Sequence, residues 1–194
     1  MRQLDFYFDY RSPYTFLALS QLRQMDVEIV FRPFEIGALM KLVGNVPTSL
    51  TCASKNRYVM TDLSRWSIQY GVPLNRHPQG SELDVSRLLR ATLVAGQLGA
   101  MPAAVKAIFN AFWSAPAPLA TATEVAALLG AEGLDAKALE SQMDDPAAHV
   151  LLEEATAEAA ARGVFGAPTM FVGDEMFFGN DRLHFVRDRL ARAA

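Results

Sequence analysis

Ser12 stands where an apolar strand gives way to a helix, a position at which a hydroxyl group could take part in chemistry. Residues 5–18 read DFYFDYRSPYTFLA, and they alternate in character up to Tyr10 before changing to a helical spacing from Pro13. The free N–H groups and the dipole of a helix N-terminus favour an anion. The same Ser-Pro pair is also a common helix start, with serine as the cap and proline in the first turn. The residues alone therefore allow either role.

Other sources of reactivity in the chain are few. The single cysteine, Cys52, excludes an internal disulfide and any zinc site built from several cysteines. The three histidines show no metal-ligand spacing, so we expect no bound metal. His77 lies in an NRHP loop that could face a pocket, and Asp9 follows the first predicted strand, where it could orient the turn before Ser12.

The size and charge of the chain limit its partners. Its 194 residues suffice for one domain, or for one domain with a sizeable insertion. A formal net charge of -3 argues against nucleic-acid binding, because phosphate recognition needs a concentrated basic surface. No segment is long and apolar enough to span a bilayer, and the start MRQLDFYFDY is not typical of a signal peptide. We therefore expect a cytoplasmic protein that binds neither nucleic acid nor membrane.

Strands are predicted near both ends of the chain, with helices between them. A strand over 4–10, a helix and a second strand over 27–34 form a β-α-β unit with a parallel pair. A loop-rich stretch and a long series of amphipathic helices follow. The segments PTMFV and EMFFG flank a Gly-Asp pair at 173–174 and predict a hairpin. The last predicted helix begins with Asn180 or Asp181 as its cap.

This order places strands that are far apart in sequence in one sheet. The topology matches a thioredoxin-like α/β fold, β-α-β followed by β-β-α, that carries a large helical insertion. We therefore predict a thioredoxin-like domain formed by residues 1–36 and 164–194, and an inserted helical domain formed by residues 37–163.

Four segments of the chain resemble a known family. They read FYFDYRSPYTFLA, GNVP, RYVMTDLSRWSIQYGVPL and GVFGAPTMFVGDEMFFGNDRL. They are similar to the kappa-class glutathione transferases and 2-hydroxychromene-2-carboxylate isomerases, within the larger DsbA-like group. The last segment is the most specific, and its GNDRL ending has the form found in the isomerases. Between about 80 and 160 the similarity is only that of a helical block.

The resemblance implies a specific role for Ser12. In redox-active relatives a C-x-x-C motif occupies this turn, whereas the four positions here read SPYT, beginning at Ser12. Thiol-disulfide exchange is therefore impossible at this position, because neither sulfur is present. The family implies that glutathione supplies the thiol instead. Ser12, as the catalytic residue, would donate a hydrogen bond to the sulfur, lower the pKa of the thiol and hold it as thiolate.

The resemblance also implies which residues bind glutathione at the C-terminal end of the chain. The backbone of Ala167 would pair with the cysteinyl part like an added strand. Pro168 would form the cis peptide bond that thioredoxin-like folds have at this position, and the alternative is an ordinary proline at the start of a strand. Asn180 and Asp181 would bind the γ-glutamyl end, in addition to capping a helix.

Residues after the second strand complete the implied site. Asn45, in the GN segment, and Lys55 match residues on the glutathione side of the family site. Lys41 resembles the lysine that binds the substrate carboxylate, and Ser49 stands where an isomerase has polar substrate contacts. Arg182 is a secondary candidate for binding glutathione. A lone lysine at a protein surface is commonly just solvated, so the lysine assignments rest on the resemblance.

The implied activity is that of a glutathione-dependent isomerase acting on 2-hydroxychromene-2-carboxylate and trans-o-hydroxybenzylidenepyruvate type compounds. Reversible addition of a thiolate would turn a double bond into a single bond, allow rotation, and restore conjugation on elimination. The implied partners are a small aromatic carboxylate of aromatic catabolism and a second copy of the chain in a homodimer. Two alternatives stay open: a kappa-type transferase that releases a glutathione adduct, and a redox-inactive thioredoxin-like module that binds a peptide or a partner protein.

Overall fold

The structure is a computed structural model that describes residues 2–47 and 51–192. Strands β1 to β4 span Gln3–Phe8, Glu28–Pro33, Thr169–Val172 and Glu175–Phe178. Helices α1 to α9 span Pro13–Leu22, Ile36–Leu42, Ala53–Tyr70, Val85–Gln97, Met101–Trp113, Ala122–Ala131, Ala136–Gln142, Pro146–Ala161 and Leu183–Arg192. A short 3-10 helix over Asn180–Arg182 precedes α9. Within the described residues no helix has the length and apolar character needed to cross a membrane.

The strands form one mixed sheet in the order β2-β1-β3-β4. Strand β1 runs parallel to β2, and β3 runs antiparallel to both β1 and β4. Gly173, with a φ of 64°, provides the left-handed conformation in the two-residue turn between β3 and β4. The predicted parallel pair and the predicted hairpin are therefore both confirmed.

The expectation of a loop-rich stretch directly after β2 is wrong, because residues 36–42 form helix α2. This helix has no side-chain cap of its own and no acidic residue in its first turn. Its Leu39 is fully buried, and the helix packs on α8. A helix of two turns is not stable alone in water. Contacts that are distant in sequence therefore form α2, and a local pattern does not reveal them.

Both faces of the sheet are covered at strand β1. Leu4, Phe6 and Phe8 of β1 belong to a large apolar core that extends into the helical block. On the other face Tyr7 packs in a smaller cluster with residues of α2 and α8. Asp9, just beyond β1, is also fully buried. The alternation in this strand therefore separates two buried faces, not a buried face from an exposed one.

An aromatic cluster joins the sheet to the helical block. The Phe109 ring of α5 lies 4.6 Å from the ring of Tyr10, 5.5 Å from that of Phe8 and 6.3 Å from that of Phe16, measured between centroids. Trp113 of the same helix donates its indole N–H to the carbonyl of Tyr10 at 2.7 Å. The predicted division into a domain of residues 1–36 and 164–194 and one of residues 37–163 stays a prediction.

Asp5 is the centre of an ion-pair cluster on the α8 face of the sheet. Its carboxylate accepts hydrogen bonds from Arg162 Nη1 at 2.8 Å and from Arg32 Nε at 3.0 Å. The Arg162 guanidinium also reaches Tyr7 Oη at 3.1 Å and lies 4.1 Å above the centroid of the Phe171 ring. Burial opposes ionisation of Asp5, but the hydrogen bonds from Arg162 and Arg32 hold its pKa below the ordinary value.

We expect Asp5 to contribute to the loss of stability in acid. A carboxyl group whose pKa is lowered by folding stabilises the native state above its unfolded pKa, and this contribution is lost as the pH falls through the folded pKa. The wild type should therefore lose this contribution below about pH 4. Asp5→Asn should lower the free energy of unfolding at pH 7 and make its decline below pH 4 shallower. Urea unfolding at pH 7, 4 and 3 measures both effects, and an unchanged acid slope in the variant would contradict the assignment.

Candidate active site

Ser12 ends the turn between β1 and α1, but its hydroxyl does not cap the helix. Pro13 is the first residue of α1, and Ser12 has the extended backbone of a cap without a side-chain cap bond. Its Oγ donates instead to the carbonyl of Ala167 at 3.1 Å. The turn is closed by the backbone, because the Ser12 N–H donates to the carbonyl of Asp9 at 3.1 Å. Capping therefore does not explain the serine hydroxyl, which lies against the loop before β3.

The peptide bond between Ala167 and Pro168 is cis, as the resemblance implied. Pro168 is buried, and Ala167 is half-buried. Within the described part of the chain, the N–H of Ala167 has no hydrogen-bond partner. The carbonyl of Pro168 accepts a hydrogen bond from the Gly179 N–H at 2.9 Å. The Ser12 turn thus adjoins a backbone edge that keeps one N–H available for a ligand.

Asn45 also makes a hydrogen bond to the loop before β3. Its Nδ2 donates to the carbonyl of Phe165 at 2.7 Å, and its Oδ1 accepts the N–H of Val46 at 2.8 Å. Asn45 follows α2 and is exposed. The structure therefore brings Ser12, Asn45 and Ala167 together around residues 165–168.

Asn180 and Asp181 form the 3-10 helix ahead of α9, whose first residue is Leu183, so the prediction that one of them caps that helix is wrong. Asn180 is 4% exposed, and its Nδ2 has no partner among the described residues. Asp181 pairs with Arg182 at the surface. Gly179 has a φ of 93°, and a Cβ there would lie 2.6 Å from Asp181 Oδ1. Glycine therefore lets the Asp181 carboxylate fold back over the end of β4.

The first turn of α1 contains two further polar groups. Thr15, at the position of the second cysteine in the C-x-x-C motif, is fully buried, and its Oγ1 has no partner within the described chain. Tyr14 Oη donates to Asp62 Oδ2 at 2.8 Å and so links α1 to α3. Burial and this hydrogen bond raise the pKa of Tyr14. Tyr14 therefore stays neutral at physiological pH and adds no negative charge beside Ser12.

Asp9 lies behind the turn, where it is fully buried. Its Oδ1 accepts the N–H of Arg11 at 2.8 Å, and its Oδ2 accepts Arg11 Nη1 at 3.0 Å and the N–H of Ile36 at 2.9 Å. Burial raises the pKa of Asp9, and the charge of Arg11 and the backbone donors oppose that rise. The carboxylate thus contacts both the turn that carries Ser12 and the start of α2.

A cavity of about 690 Å³ lies between α2, α4 and α8. Lys41 and Leu42 line it from α2, and His149 and Leu152 line it from α8. Lys41 is exposed and makes no ion pair with any residue that the structure describes. The cavity therefore combines apolar walls with the exposed cation of Lys41 and with two carboxylates, Glu35 and Glu153.

The cavity is connected to the Ser12 turn by a chain of polar contacts. Ser86 and Glu35 line the cavity, and the Ser86 hydroxyl donates to Glu35 Oε1 at 2.7 Å. Arg11 Nη2 lies 3.3 Å from Ser86 Oγ and 3.9 Å from Glu35 Oε1. The sequence analysis missed these three residues, because Ser86 is 75 positions from Arg11. The only feature of the sequence that points to this group of residues is that Arg11 is adjacent to Ser12.

The remaining residues considered from the sequence are Lys55, Ser49, His77 and Cys52. Lys55 lies in the first turn of α3, and Ser49 lies outside the described residues. His77 is buried in the helical block, where its Nδ1 accepts the N–H of Gln79 at 3.1 Å and its Nε2 lies 2.9 Å from the carbonyl oxygen of Ala117. Cys52 is exposed before α3. Among the described residues, no group of three or more His, Cys, Asp or Glu side chains could hold a metal ion.

The fold and this site define a class of protein. Residues 3–191 match the family model of the DSBA-like thioredoxin domain, so the chain belongs to that family. It is 34% identical to a 2-hydroxychromene-2-carboxylate isomerase of Sphingobium xenophagum, with 97% of this chain and 98% of that protein aligned. It is also 28% identical to glutathione S-transferase kappa 1 of Caenorhabditis elegans, with 97% and 90% aligned.

A solved structure of a 2-hydroxychromene-2-carboxylate isomerase is similar to the fold over almost its whole length. The TM-score is 0.86 at 31% sequence identity, and the match covers 98% of this chain and 95% of the other. The resemblance stated from the sequence is thereby confirmed, as is the thioredoxin-like α/β fold with its large helical block.

Proposed function

We propose that this protein is a glutathione-dependent isomerase that interconverts 2-hydroxychromene-2-carboxylate and trans-o-hydroxybenzylidenepyruvate type compounds. The observation that carries the proposal is the Ser12 hydroxyl. It lies at the N-terminus of α1 without capping it, and it contacts Ala167 in a turn that contains no cysteine. Full-length similarity to three isomerases supports the same activity.

Several groups around Ser12 suit glutathione. The N–H of Ala167 is available to the backbone of the cysteinyl residue, as in the addition of a strand. Asn180 offers a buried Nδ2 without a partner in the described chain, and Asp181 offers a carboxylate to the γ-glutamyl ammonium. Asn45 adjoins the same loop. Lys55 stays a proposed contact on the glutathione side.

Bound glutathione would supply a thiolate that adds reversibly to an unsaturated carbon of the substrate. Ser12 would stabilise that charge by turning its hydroxyl from the Ala167 carbonyl towards the sulfur, with the N-terminus of α1 behind it. The rotation costs one neutral hydrogen bond, a net loss of about 1 kcal/mol. The hydrogen bond to an anion that replaces it is stronger. The rearrangement therefore favours the ionised thiol.

The cavity between α2, α4 and α8 would bind the aromatic carboxylate. Its volume of about 690 Å³ is in the range of small-molecule sites. Lys41 would bind the carboxylate, and Leu42 and Leu152 would cover the apolar part and exclude water. Ser49 stays a proposed substrate contact. We also propose a homodimer as the working assembly and the cytoplasm as the location, with a role in aromatic catabolism.

Thermal unfolding in the presence of glutathione tests the cofactor assignment. A ligand at about 100 times its Kd stabilises the native state by about 2.7 kcal/mol, which raises the Tm of a chain of this size by about 5 to 10 °C. We expect such a shift at millimolar glutathione. The tripeptide γ-glutamyl-alanyl-glycine, which lacks the sulfur, should give a smaller shift. A Tm that glutathione does not change would contradict the proposal and favour the redox-inactive binding module.

Analysis of the reaction products separates the isomerase from a kappa-type transferase, which the similarity to a kappa transferase keeps as the second candidate. An isomerase releases the trans product and leaves total free glutathione unchanged, whereas a transferase consumes glutathione in proportion to the adduct formed. We expect the first result with 2-hydroxychromene-2-carboxylate. Stoichiometric loss of glutathione would assign the protein to the transferases.

A further inference from the structure

We infer that Asp9 is a positioning residue that holds the two halves of the proposed site, the Ser12 turn and helix α2 with Lys41, in one fixed arrangement. The effect of Asp9 on kinetics rests on the proposed function. The positioning itself is inferred from the hydrogen bonds of one fully buried carboxylate, and it does not depend on the activity.

Helix α2 depends on Asp9 because it lacks a cap of its own. The residue at its N-cap, Glu35, makes no side-chain cap bond. The Glu35 side chain accepts from Ser86 instead, and its N–H donates to Thr156 Oγ1 at 3.0 Å. The N–H of Ile36, the first residue of α2, donates to Asp9 Oδ2 at 2.9 Å. Asp9 therefore supplies from the end of β1 the acceptor that a helix N-terminus normally receives from its own cap.

The Ser12 turn depends on the other oxygen of the same carboxylate. Asp9 Oδ1 accepts the N–H of Arg11 at 2.8 Å, two residues along the chain, as in an Asx turn. The carbonyl of Asp9 accepts the N–H of Ser12 at 3.1 Å. The Arg11 side chain adds a charge-assisted hydrogen bond to Oδ2 at 3.0 Å. The carboxylate thus fixes the residue before Ser12 and the first residue of α2 at the same time.

An uncharged side chain of the same shape cannot make all these contacts. In Asp9→Asn the amide has one acceptor oxygen and one NH₂ group, and the NH₂ would face either the N–H of Arg11 or the N–H of Ile36. One donor is then left buried without an acceptor, which is costly. The variant must therefore release either the turn or α2.

Asp5→Asn is the matched control. Asp5 is the third residue of β1, on the same side of the strand as Asp9, and it also makes ion pairs with arginine side chains. Both variants should lose stability. Only Asp9→Asn should accelerate amide hydrogen exchange in peptides covering residues 10–15 and 36–42, and we expect that acceleration to be at least about tenfold, the effect of losing one hydrogen bond to a charged group. Equal exchange in these two peptides for both variants would overturn the inference.

A second variant removes only the α2 half of the contact. Ile36 is the first residue of α2, where proline is tolerated, so Ile36→Pro deletes the N–H that Asp9 accepts and preserves the helix start. Ile36→Ala, which removes side-chain packing and keeps the N–H, is its control. We expect faster exchange in 36–42 but not in 10–15 for Ile36→Pro. If Asp9→Asn does not fold, this pair tests the α2 half of the contact, and equal exchange in 36–42 for Ile36→Pro and Ile36→Ala would overturn the inference.

Kinetics at saturating glutathione tests whether Asp9 acts through Lys41. Lys41→Met should raise KM for the aromatic carboxylate about ten- to a hundredfold, the loss of one charge-assisted hydrogen bond. Asp9→Asn should raise the same KM. In the double variant, Lys41→Met should add less than about twofold, because residues that act as a unit are not additive.

The possible results have distinct meanings. A full Lys41→Met effect in the Asp9→Asn background would overturn the positioning role, even if exchange in α2 is accelerated. A wild type with neither glutathione binding nor isomerase activity would refute the proposed function. The exchange comparison between Asp9→Asn and Asp5→Asn would then still decide whether one carboxylate holds the turn and α2 together.

Discussion

Ser12→Ala should lower kcat/KM of the isomerase reaction by about 10²- to 10³-fold, the usual effect of removing one hydrogen bond to a charge that reacts. The variant retains the N-terminus of α1, the cis bond at Pro168 and the N–H of Ala167, which has no partner among the described residues. Glutathione should therefore still bind, but as a thiol of higher pKa. A pH titration of thiolate absorbance near 240 nm in the binary complex measures that change.

Stability should respond little to the same substitution. The Ser12 hydroxyl makes a single neutral hydrogen bond to the half-buried carbonyl of Ala167, so its loss costs about 1 kcal/mol and a few degrees of Tm. Ser12→Thr keeps the hydroxyl on a bulkier side chain and is the control for donor chemistry. We expect it to retain more activity than Ser12→Ala. Wild-type turnover in Ser12→Ala would remove the serine from the mechanism.

The parts of the site that the sequence predicts are those set by local pattern and by a specific resemblance. Pro13 marks a helix start directly after an alternating strand and so places Ser12 at the turn, and the resemblance implies its catalytic role. Pro168 precedes a hairpin with a recognisable turn at Gly173, and the resemblance implies its cis bond. The contact between Ser12 and Ala167, at 3.1 Å, then follows from the sheet, since β1 and β3 are neighbours.

The parts that the sequence did not predict depend on contacts between distant residues. Helix α2 has no local start signal, because its first N–H, that of Ile36, donates to Asp9 just beyond β1, and because its packing partner is α8. The cavity beside Lys41 has walls from three helices. Its link to the turn, through Arg11, Ser86 and Glu35, joins segments that no periodicity relates. Such arrangements are read from packing, and packing overrides local propensity.

The buried face of β1 shows the same limit at the level of a single strand. Alternation of apolar and polar residues normally indicates one buried and one exposed face. Here Asp5 and Asp9 lie on a covered face, where arginines and backbone N–H groups satisfy them. In this strand the polar side of the alternation therefore does not indicate exposure, because the fold places there an ion-pair cluster at Asp5 and the buried carboxylate of Asp9.

Phe109→Ala should destabilise the protein by about 3 to 5 kcal/mol, the range for removing a buried phenylalanine, which is a large share of a typical stability of about 5 to 15 kcal/mol. Phe109, on α5 of the helical block, is 1% exposed, and its ring packs against Phe8 of β1 and Phe16 of α1. Phe185→Ala is the control, because Phe185 is 52% exposed on α9. It should change the free energy of unfolding by less than about 0.5 kcal/mol.

The same variant tests whether the sheet and the helical block are thermodynamically separate. Because one apolar core runs from Leu4 of β1 to Leu139 of α7, we expect Phe109→Ala to unfold in one transition, with far-UV circular dichroism and tryptophan fluorescence coinciding in urea. If the helical signal were lost first while glutathione still raised the Tm of the remainder, the helical block would be an independent domain. The contacts of Phe109 would then stabilise each part by packing, but they would not make the sheet and the helical block unfold together.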